Sequence, residues 1–117
     1  MRMKNTVIDY VEFKAKDLHK IKEFYASAFG WKFTDYGPGY TAFAQSGIEG
    51  GFQSANEGED IVNGVLVVLY HEDLVAIKER VMESGGIIVK DIFSFPGGRR
   101  FHFTDPSGNE LAIWSDK

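Results

Sequence analysis

Two residues of this sequence could carry out general acid/base chemistry together, the carboxylate of Glu12 and the imidazole of His102. A partly buried carboxylate can have its pKa raised, and a nearby histidine could then exchange a proton with it. On the strand that contains His102, Phe101 and Phe103 look like the core-facing pair. Arg100 and His102 are then left for a cavity. In the alternative interpretation, Glu12 only satisfies the charge of Arg100 or His102.

The composition excludes several other kinds of site. There is no cysteine among the 117 residues, so disulfides, thiolate metal ligands and cysteine nucleophiles are excluded. The formal net charge is −4 and no basic block is present, which argues against a nucleic-acid partner. The apolar runs are too short to cross a bilayer, and no signal peptide is evident. We therefore expect no membrane partner and a cytoplasmic location.

The elements that would position these side chains follow a repeated pattern. The heptapeptide DLHKIKE at 17–23 returns as DLVAIKE at 73–79, with five of seven positions identical at an offset of 56 residues. Each copy predicts a helix that begins after an Asp N-cap and ends at glycine. One strand precedes each helix and three short strands follow it. The predicted strands cover 6–14, 31–35, 40–45 and 48–54 in the first half, and 65–70, 87–93, 99–104 and 110–115 in the second.

A second alignment supports an internal duplication. GIEGGFQS at 47–54 matches GNELAIWS at 108–115 at Gly, Glu and Ser, with an offset of 61 residues. We therefore predict an α+β fold, with residues 1–117 forming one domain of two β-α-β-β-β modules at about 5–54 and 63–116.

A sheet that packs a helix on one face leaves its other face open. Two modules could turn their open faces towards each other around a cavity, with the two helices on the outside. The open faces and sheet edges also favour a homodimer. The sequence leaves open whether the modules pair within one chain or between two chains.

Two longer motifs, DLxxIxEFYxxxFGWKF and FTDPSGNELAIW, resemble the vicinal oxygen chelate superfamily when they occur in this order of elements. That superfamily includes glyoxalase I, bleomycin-resistance proteins and extradiol dioxygenases. The resemblance covers nearly the whole chain and is greatest to small bacterial proteins related to lactoylglutathione lyase. It implies the glyoxalase/bleomycin-resistance fold.

The resemblance also implies where a metal would bind. In members with metal chemistry, His, Glu or Gln side chains on the first and last strands of each half hold a divalent ion. The corresponding residues here are Tyr10, Gly51, Leu66 and Ala112. Only the tyrosine could coordinate a metal, and a neutral phenol is a poor ligand. We therefore expect no metal or other cofactor, and neither glyoxalase nor extradiol dioxygenase activity.

Strand alternation from these four positions predicts the residues of the cavity, because side chains two apart share a face. The predicted ligand-binding residues are Tyr10, Glu12, Tyr70, Arg100, His102 and Trp114. The aromatic side chains could stack on a ligand or fill the cavity themselves.

Two functions from different classes are consistent with this pattern. The first is metal-free binding of a small organic molecule in the cavity, as in bleomycin-resistance relatives. The alternative is a lyase or isomerase-type enzyme. In it, Glu12 and His102 would act as acid and base, or would help to hold a divalent metal at a different site. The sequence does not name the ligand.

Overall fold

The computed structural model describes residues 4–117. The first module consists of β1 (Tyr10–Ala15), α1 (Leu18–Phe29), β2 (Lys32–Asp35), β3 (Tyr40–Ala44) and β4 (Glu49–Ser54). The second consists of β5 (Val67–Tyr70), α2 (Leu74–Glu83), β6 (Ile87–Phe95), β7 (Gly98–Thr104) and β8 (Glu110–Ser115). Strands β1 and β5 begin later than predicted. Neither helix of the described residues has the length and apolar composition needed to cross a membrane.

Each module forms its own four-stranded sheet with the same connectivity. The strand orders are β1-β4-β3-β2 and β5-β8-β7-β6. The first and last strands of each module run parallel, and the other neighbouring strands are antiparallel. Parallel pairing requires a crossover connection, and the helix is part of it. The predicted α+β class, with two β-α-β-β-β modules, is confirmed.

The repeated heptapeptide has the same structural role in both modules. Its aspartate caps the helix, since Asp17 and Asp73 each accept a hydrogen bond at 3.1 Å from the backbone N–H three residues later. Its isoleucine is buried in the core. Its lysine pairs with a strand aspartate of the same module. These ion pairs are Lys22–Asp35 at 3.0 Å and Lys78–Asp91 at 2.6 Å.

Helix α1 lies between the two sheets and contacts α2, so the prediction that the helices lie outside is wrong. The ring centroids of Tyr25 and of Phe52 on β4 are 5.2 Å apart. The ring centroids of the neighbouring Phe24 and of Phe103 on β7 are 5.9 Å apart. Because α1 buries Phe24 as well as Tyr25, its apolar stripe is wide enough to contact both sheets. One hydrophobic core therefore continues through both modules.

A buried polar network centred on Asp105 joins the modules. Its Oδ1 accepts hydrogen bonds from the backbone N–H groups of residues 107–109. Its Oδ2 accepts from the Tyr25 hydroxyl at 2.8 Å and from the Asn109 amide at 3.0 Å. Burial raises the pKa of Asp105, and these donors oppose that rise. The Asn109 amide also donates to the carbonyl of Lys14 at 2.8 Å, which holds the turn against β1.

Candidate functional site

The predicted site residues lie on the two sheet faces that have no helix packed on them. We call the helix-free face of the first sheet the N face; it carries Tyr10, Glu12, Tyr40, Ala42 and Gly51. The helix-free face of the second sheet is the C face; it carries Val68, Tyr70, Phe93, Phe95, Arg100, His102, Glu110, Ala112 and Trp114. The alternate residues Phe101 and Phe103 are buried in the core, which confirms their predicted orientation.

Both faces are exposed in the single chain. Tyr10 on the N face is 39% exposed, and Val68 and Tyr70 on the C face are 42% and 50% exposed. Because the helices pack between the sheets, the helix-free faces point away from the core and can meet a ligand or another protein.

A chain of hydroxyl groups and one carboxylate crosses the N face. The hydroxyls of Tyr10 and Tyr40 are 2.6 Å apart, and the Tyr40 hydroxyl donates to Glu12 Oε1 at 3.1 Å. With its proton directed at Glu12, Tyr40 accepts the hydrogen bond from Tyr10. Burial, together with these two partners, raises the pKa of Tyr40. The sequence pattern does not single out Tyr40, because the place of this residue depends on the register between β3 and β4.

The ring of Tyr40 lies over Gly51, one of the four positions implied by the family resemblance. A Cβ atom at Gly51 would collide with the Tyr40 hydroxyl and with the backbone carbonyl of Thr41. Gly51 therefore gives the phenol room to reach Glu12.

A recess on the N face lies next to this hydroxyl chain. Its volume is about 420 Å³, and its lining includes Thr34, Tyr36, Ala42, Ala44 and Glu49. Because the two alanine side chains are small, they leave space above the sheet at the floor of the recess. A cavity of this size can hold a small organic molecule.

The residues at the four family positions do not fit a divalent metal. Gly51 lies beneath a tyrosine ring, and Leu66 and Ala112 have aliphatic side chains without a lone pair. The register places Glu12 beside Gly51, and Val68 and His102 on the two sides of Ala112. Of these neighbours, Glu12 is bonded to Tyr40 and His102 to Glu110. Across residues 4–117, no three His, Cys, Asp or Glu side chains are grouped so that they could hold a metal ion.

On the C face, His102 pairs with Glu110. Its Nδ1 is 2.9 Å from Glu110 Oε2, and its side chain is 10% exposed. The ring of Phe93 stacks on the imidazole with centroids 5.9 Å apart. The other ring nitrogen, Nε2, is buried without a hydrogen-bond partner. A carboxylate that orients one histidine nitrogen while the other stays free is the usual arrangement of a general base.

Arg100 lies beside this pair among aromatic rings. Its guanidinium carbon is 5.4 Å from the centroid of Phe93 and 5.7 Å from that of Phe95. Its Nε is buried and has no hydrogen-bond partner. A second cation, the Lys90 ammonium, lies 4.3 Å from the centroid of Phe93. The C face therefore combines cationic groups with π surfaces.

The remaining predicted residues extend the aromatic surface of the C face. Trp114 lies 5.3 Å from Tyr70 and 6.4 Å from Phe95, measured between ring centroids. The Tyr70 hydroxyl donates to Asp116 at 2.7 Å, and this hydrogen bond raises the pKa of Tyr70. Tyr70, Trp114 and Phe95 thus form an aromatic surface, in which the rings of Tyr70 and Phe95 are tilted by 72° and 50° against that of Trp114.

The predicted acid/base pair is not formed within the chain. Glu12 and His102 lie on different sheets and have different partners, Tyr40 and Glu110 respectively. The alternative ion pair of Glu12 with Arg100 is not formed either, since Arg100 packs on Phe93. Glu110 could have been found from the sequence, because alternation on β8 places it on the same face as Ala112 and Trp114. The binding roles of the six predicted residues stay predictions.

Known proteins share both the sequence pattern and the fold. Residues 7–113 match the model of the Glyoxalase/Bleomycin resistance protein/Dioxygenase superfamily. No curated protein matches the chain in sequence. A glyoxalase/bleomycin resistance protein/dioxygenase family enzyme from Burkholderia phytofirmans PsJN superposes with a TM-score of 0.80 at 15% identity, over 93% of this chain and 98% of its own.

Two further solved structures have the same fold. A glyoxalase-related enzyme from Fulvimarina pelagi has a TM-score of 0.80 at 17% identity, over 94% of this chain and 88% of its own. TnmS3, an antibiotic binding protein from Streptomyces sp. CB03234, has a TM-score of 0.70 at 22% identity, over 97% of this chain and 98% of its own. With the family model matching most of its length, the chain belongs to the glyoxalase/bleomycin resistance protein/dioxygenase superfamily.

Proposed function

We propose that this protein binds a small organic molecule on its helix-free faces, without the metal quartet of catalytic relatives. The observation that carries this proposal is the exposure of two faces rich in aromatic and polar side chains. Exposed apolar surface of this kind marks sites for ligands or protein partners. The antibiotic binding protein TnmS3 has the same fold, and this analogy also favours a binding role.

We infer that a second copy of the chain completes the binding cavity. A single chain leaves both faces exposed, whereas two copies related by a twofold axis could lay each N face over the other chain's C face. The charges favour this arrangement, because Glu12 lies on the N face and Lys90 lies on the C face. Each cavity would then combine Glu12 of one subunit with His102 of the partner subunit.

Native mass spectrometry and elemental analysis test this proposal. We expect a species of two 13.1-kDa chains that carries or takes up an organic molecule, with no stoichiometric divalent metal after dialysis. A monomer at micromolar concentration would contradict the shared cavity. Stoichiometric metal that is lost in Tyr10→Phe would contradict the metal-free site.

The Glu110–His102 pair favours a second function, that of a metal-free isomerase or lyase. With its Nδ1–H donated to Glu110, the neutral imidazole presents a lone pair at Nε2. That nitrogen could remove a proton from a carbon next to a carbonyl group. The electron pair would pass to the carbonyl oxygen, and Arg100 would stabilise the resulting enolate. Return of the proton to another carbon completes an isomerisation.

Solvent deuterium distinguishes the two functions. An enzyme should incorporate deuterium into the molecule that co-purifies with the protein, and His102→Gln should abolish incorporation. If the wild-type protein binds that molecule without any incorporation, the binding function is favoured.

A further inference from the structure

Three nitrogen-bearing side chains surround one phenylalanine ring on the C face. The Lys90 ammonium, the Arg100 guanidinium and the His102 imidazole lie 4.3, 5.4 and 5.9 Å from Phe93, measured to its ring centroid. A carboxylate, that of Glu110, is bonded to this group through His102. The patch is therefore cationic, although the whole chain has a net charge of −4.

Two atoms of this patch lack hydrogen-bond partners. They are Arg100 Nε and His102 Nε2, and within residues 4–117 they are the buried side-chain nitrogen or oxygen atoms without a partner. Both residues are on β7, two positions apart and on the same face. The Arg100 Nε–H is a donor, and a buried donor without a partner costs free energy that a bound acceptor would recover. Because Arg100 always carries its charge, the acceptor that suits it best is an anion.

The surface beside these atoms is aromatic. Arg100 packs on Phe95, and the Phe95 ring is followed by those of Trp114 and Tyr70. Flat, apolar groups stack on rings of this kind. An oxyanion at Arg100 would thus lie at one end of a surface suited to an aromatic ring system.

We propose that the C face binds a planar aromatic anion, in which a carboxylate accepts hydrogen bonds from Arg100 and the ring stacks on Trp114, beside Phe95. This assignment rests on the proposed binding function and names the chemical class of its ligand.

Three probes test separately how the charge and the aromatic ring of a ligand contribute to binding. We choose 2-naphthoate, its neutral analogue 2-naphthamide, and cyclohexanecarboxylate, which has the charge without the aromatic ring. Binding to the intact protein is measured by titration calorimetry, with the fluorescence of half-buried Trp114 as a second readout. We expect 2-naphthoate to bind about tenfold more tightly than either of the other probes, as a charged hydrogen bond and a stacked ring each predict.

Two neighbouring arginines provide a matched pair of variants. Arg100→Gln should remove the preference for naphthoate over naphthamide and leave naphthamide binding within about twofold. Arg100→Lys keeps the charge and should retain part of the preference. Arg99→Gln is the control, because Arg99 donates from Nε to the carbonyl of Lys117 and is not part of the patch. Circular dichroism verifies that each variant is folded.

Each alternative outcome overturns the assignment in a different way. Equal affinity for naphthoate and naphthamide would show that the site does not recognise the negative charge. Equal affinity for naphthoate and cyclohexanecarboxylate would show that it does not recognise the aromatic ring. An equal loss of the preference for naphthoate in Arg99→Gln would show that the preference reflects the overall charge of the protein. If no probe binds at millimolar concentration, this ligand class is wrong. The proposed binding function is then decided separately by native mass spectrometry of the purified protein.

Discussion

The N face and the C face occupy equivalent places in the internal repeat and carry opposite chemistry. At the offset of 56 residues, the carboxylate of Glu12 corresponds to the aliphatic Val68. The N face joins two phenols to a carboxylate, and the C face joins cations to aromatic rings. On the core side the repeat keeps its apolar character, as in Phe13 and Leu69. The duplicated halves thus share the residues that fold them and differ in those that can meet a ligand.

The Asp105 network distinguishes the two modules and predicts the largest effect, since the first half has Ala44 at the position aligned with Asp105. Asp105→Ala leaves three backbone N–H groups and the Tyr25 hydroxyl without their acceptor. We expect the free energy of unfolding to fall by about 3–4 kcal/mol in urea denaturation. The exposed Asp116→Ala is the control and should leave the midpoint nearly unchanged. A similar small change in Asp105→Ala would show that the network does not hold the modules together.

The contrast between Gly51 and Ala112 predicts the next largest effect. Ala112 already has a Cβ, whereas a Cβ at Gly51 meets Tyr40 and Thr41. Gly51→Ala should therefore destabilise the fold by about 1–3 kcal/mol. In a Tyr40→Ala background the same change should cost less, because one of the two colliding groups is gone. Gly39→Ala, which adds its Cβ in open space, is the control.

Additive effects of Gly51→Ala and Tyr40→Ala would contradict the close approach of Tyr40 to Gly51. Chemical denaturation of the two single variants and the double variant measures this coupling directly.

The phenol chain of the N face predicts a smaller, pH-dependent effect. Burial and the bonds to Tyr10 and Glu12 raise the pKa of Tyr40 above the usual tyrosine value of about 10. Because the folded-state pKa is the higher one, the stability that Tyr40 contributes is complete below about pH 10 and is lost as the pH rises through that pKa. In a spectroscopic titration, Tyr40→Phe should remove one late-ionising tyrosine. Tyr36→Phe, at an exposed position, should leave that late phase in place.

The repeated ion pairs predict the smallest effect and test the similarity of the halves. Hydrogen bonds from Lys22 and Lys78 lower the pKa values of Asp35 and Asp91 respectively. Lys22→Ala and Lys78→Ala should each raise the pKa of the partner aspartate, observed by NMR titration. Stability should change little in either variant, because exposed ion pairs contribute little. The stability that arises from a lowered aspartate pKa is fully present above the pKa of the unfolded state. It is lost as the pH falls through the pKa of the folded state. A large loss of stability in only one variant would contradict the symmetry.

The repeated order of elements could be predicted from the sequence, and the position of the helices could not. The helix caps follow from Asp17 and Asp73, and the turns and strands follow from other local patterns in the sequence. Phe24 and Phe29 bring α1 against Phe103 of the other module. Such contacts depend on the packing of two modules, which local periodicity does not describe.

The candidate site was predicted in outline only. Alternation places Tyr10, Glu12, Arg100 and His102 on helix-free faces, as the structure shows. Their partner Tyr40 depends on the register between β3 and β4, which alternation along one strand does not give. Alternation on β8 does place Glu110 on the same face as Ala112 and Trp114. The cytoplasmic location and the relation to lactoylglutathione lyase stay predictions.

Placing α1 between the sheets has an evolutionary consequence. The side chains that could recognise a ligand lie outside the shared core, so most substitutions there remove few of the contacts that hold the fold together. Ligand preference can then change through single mutations that leave the protein folded. The same backbone could thus acquire new ligands in successive descendants without passing through unstable intermediates.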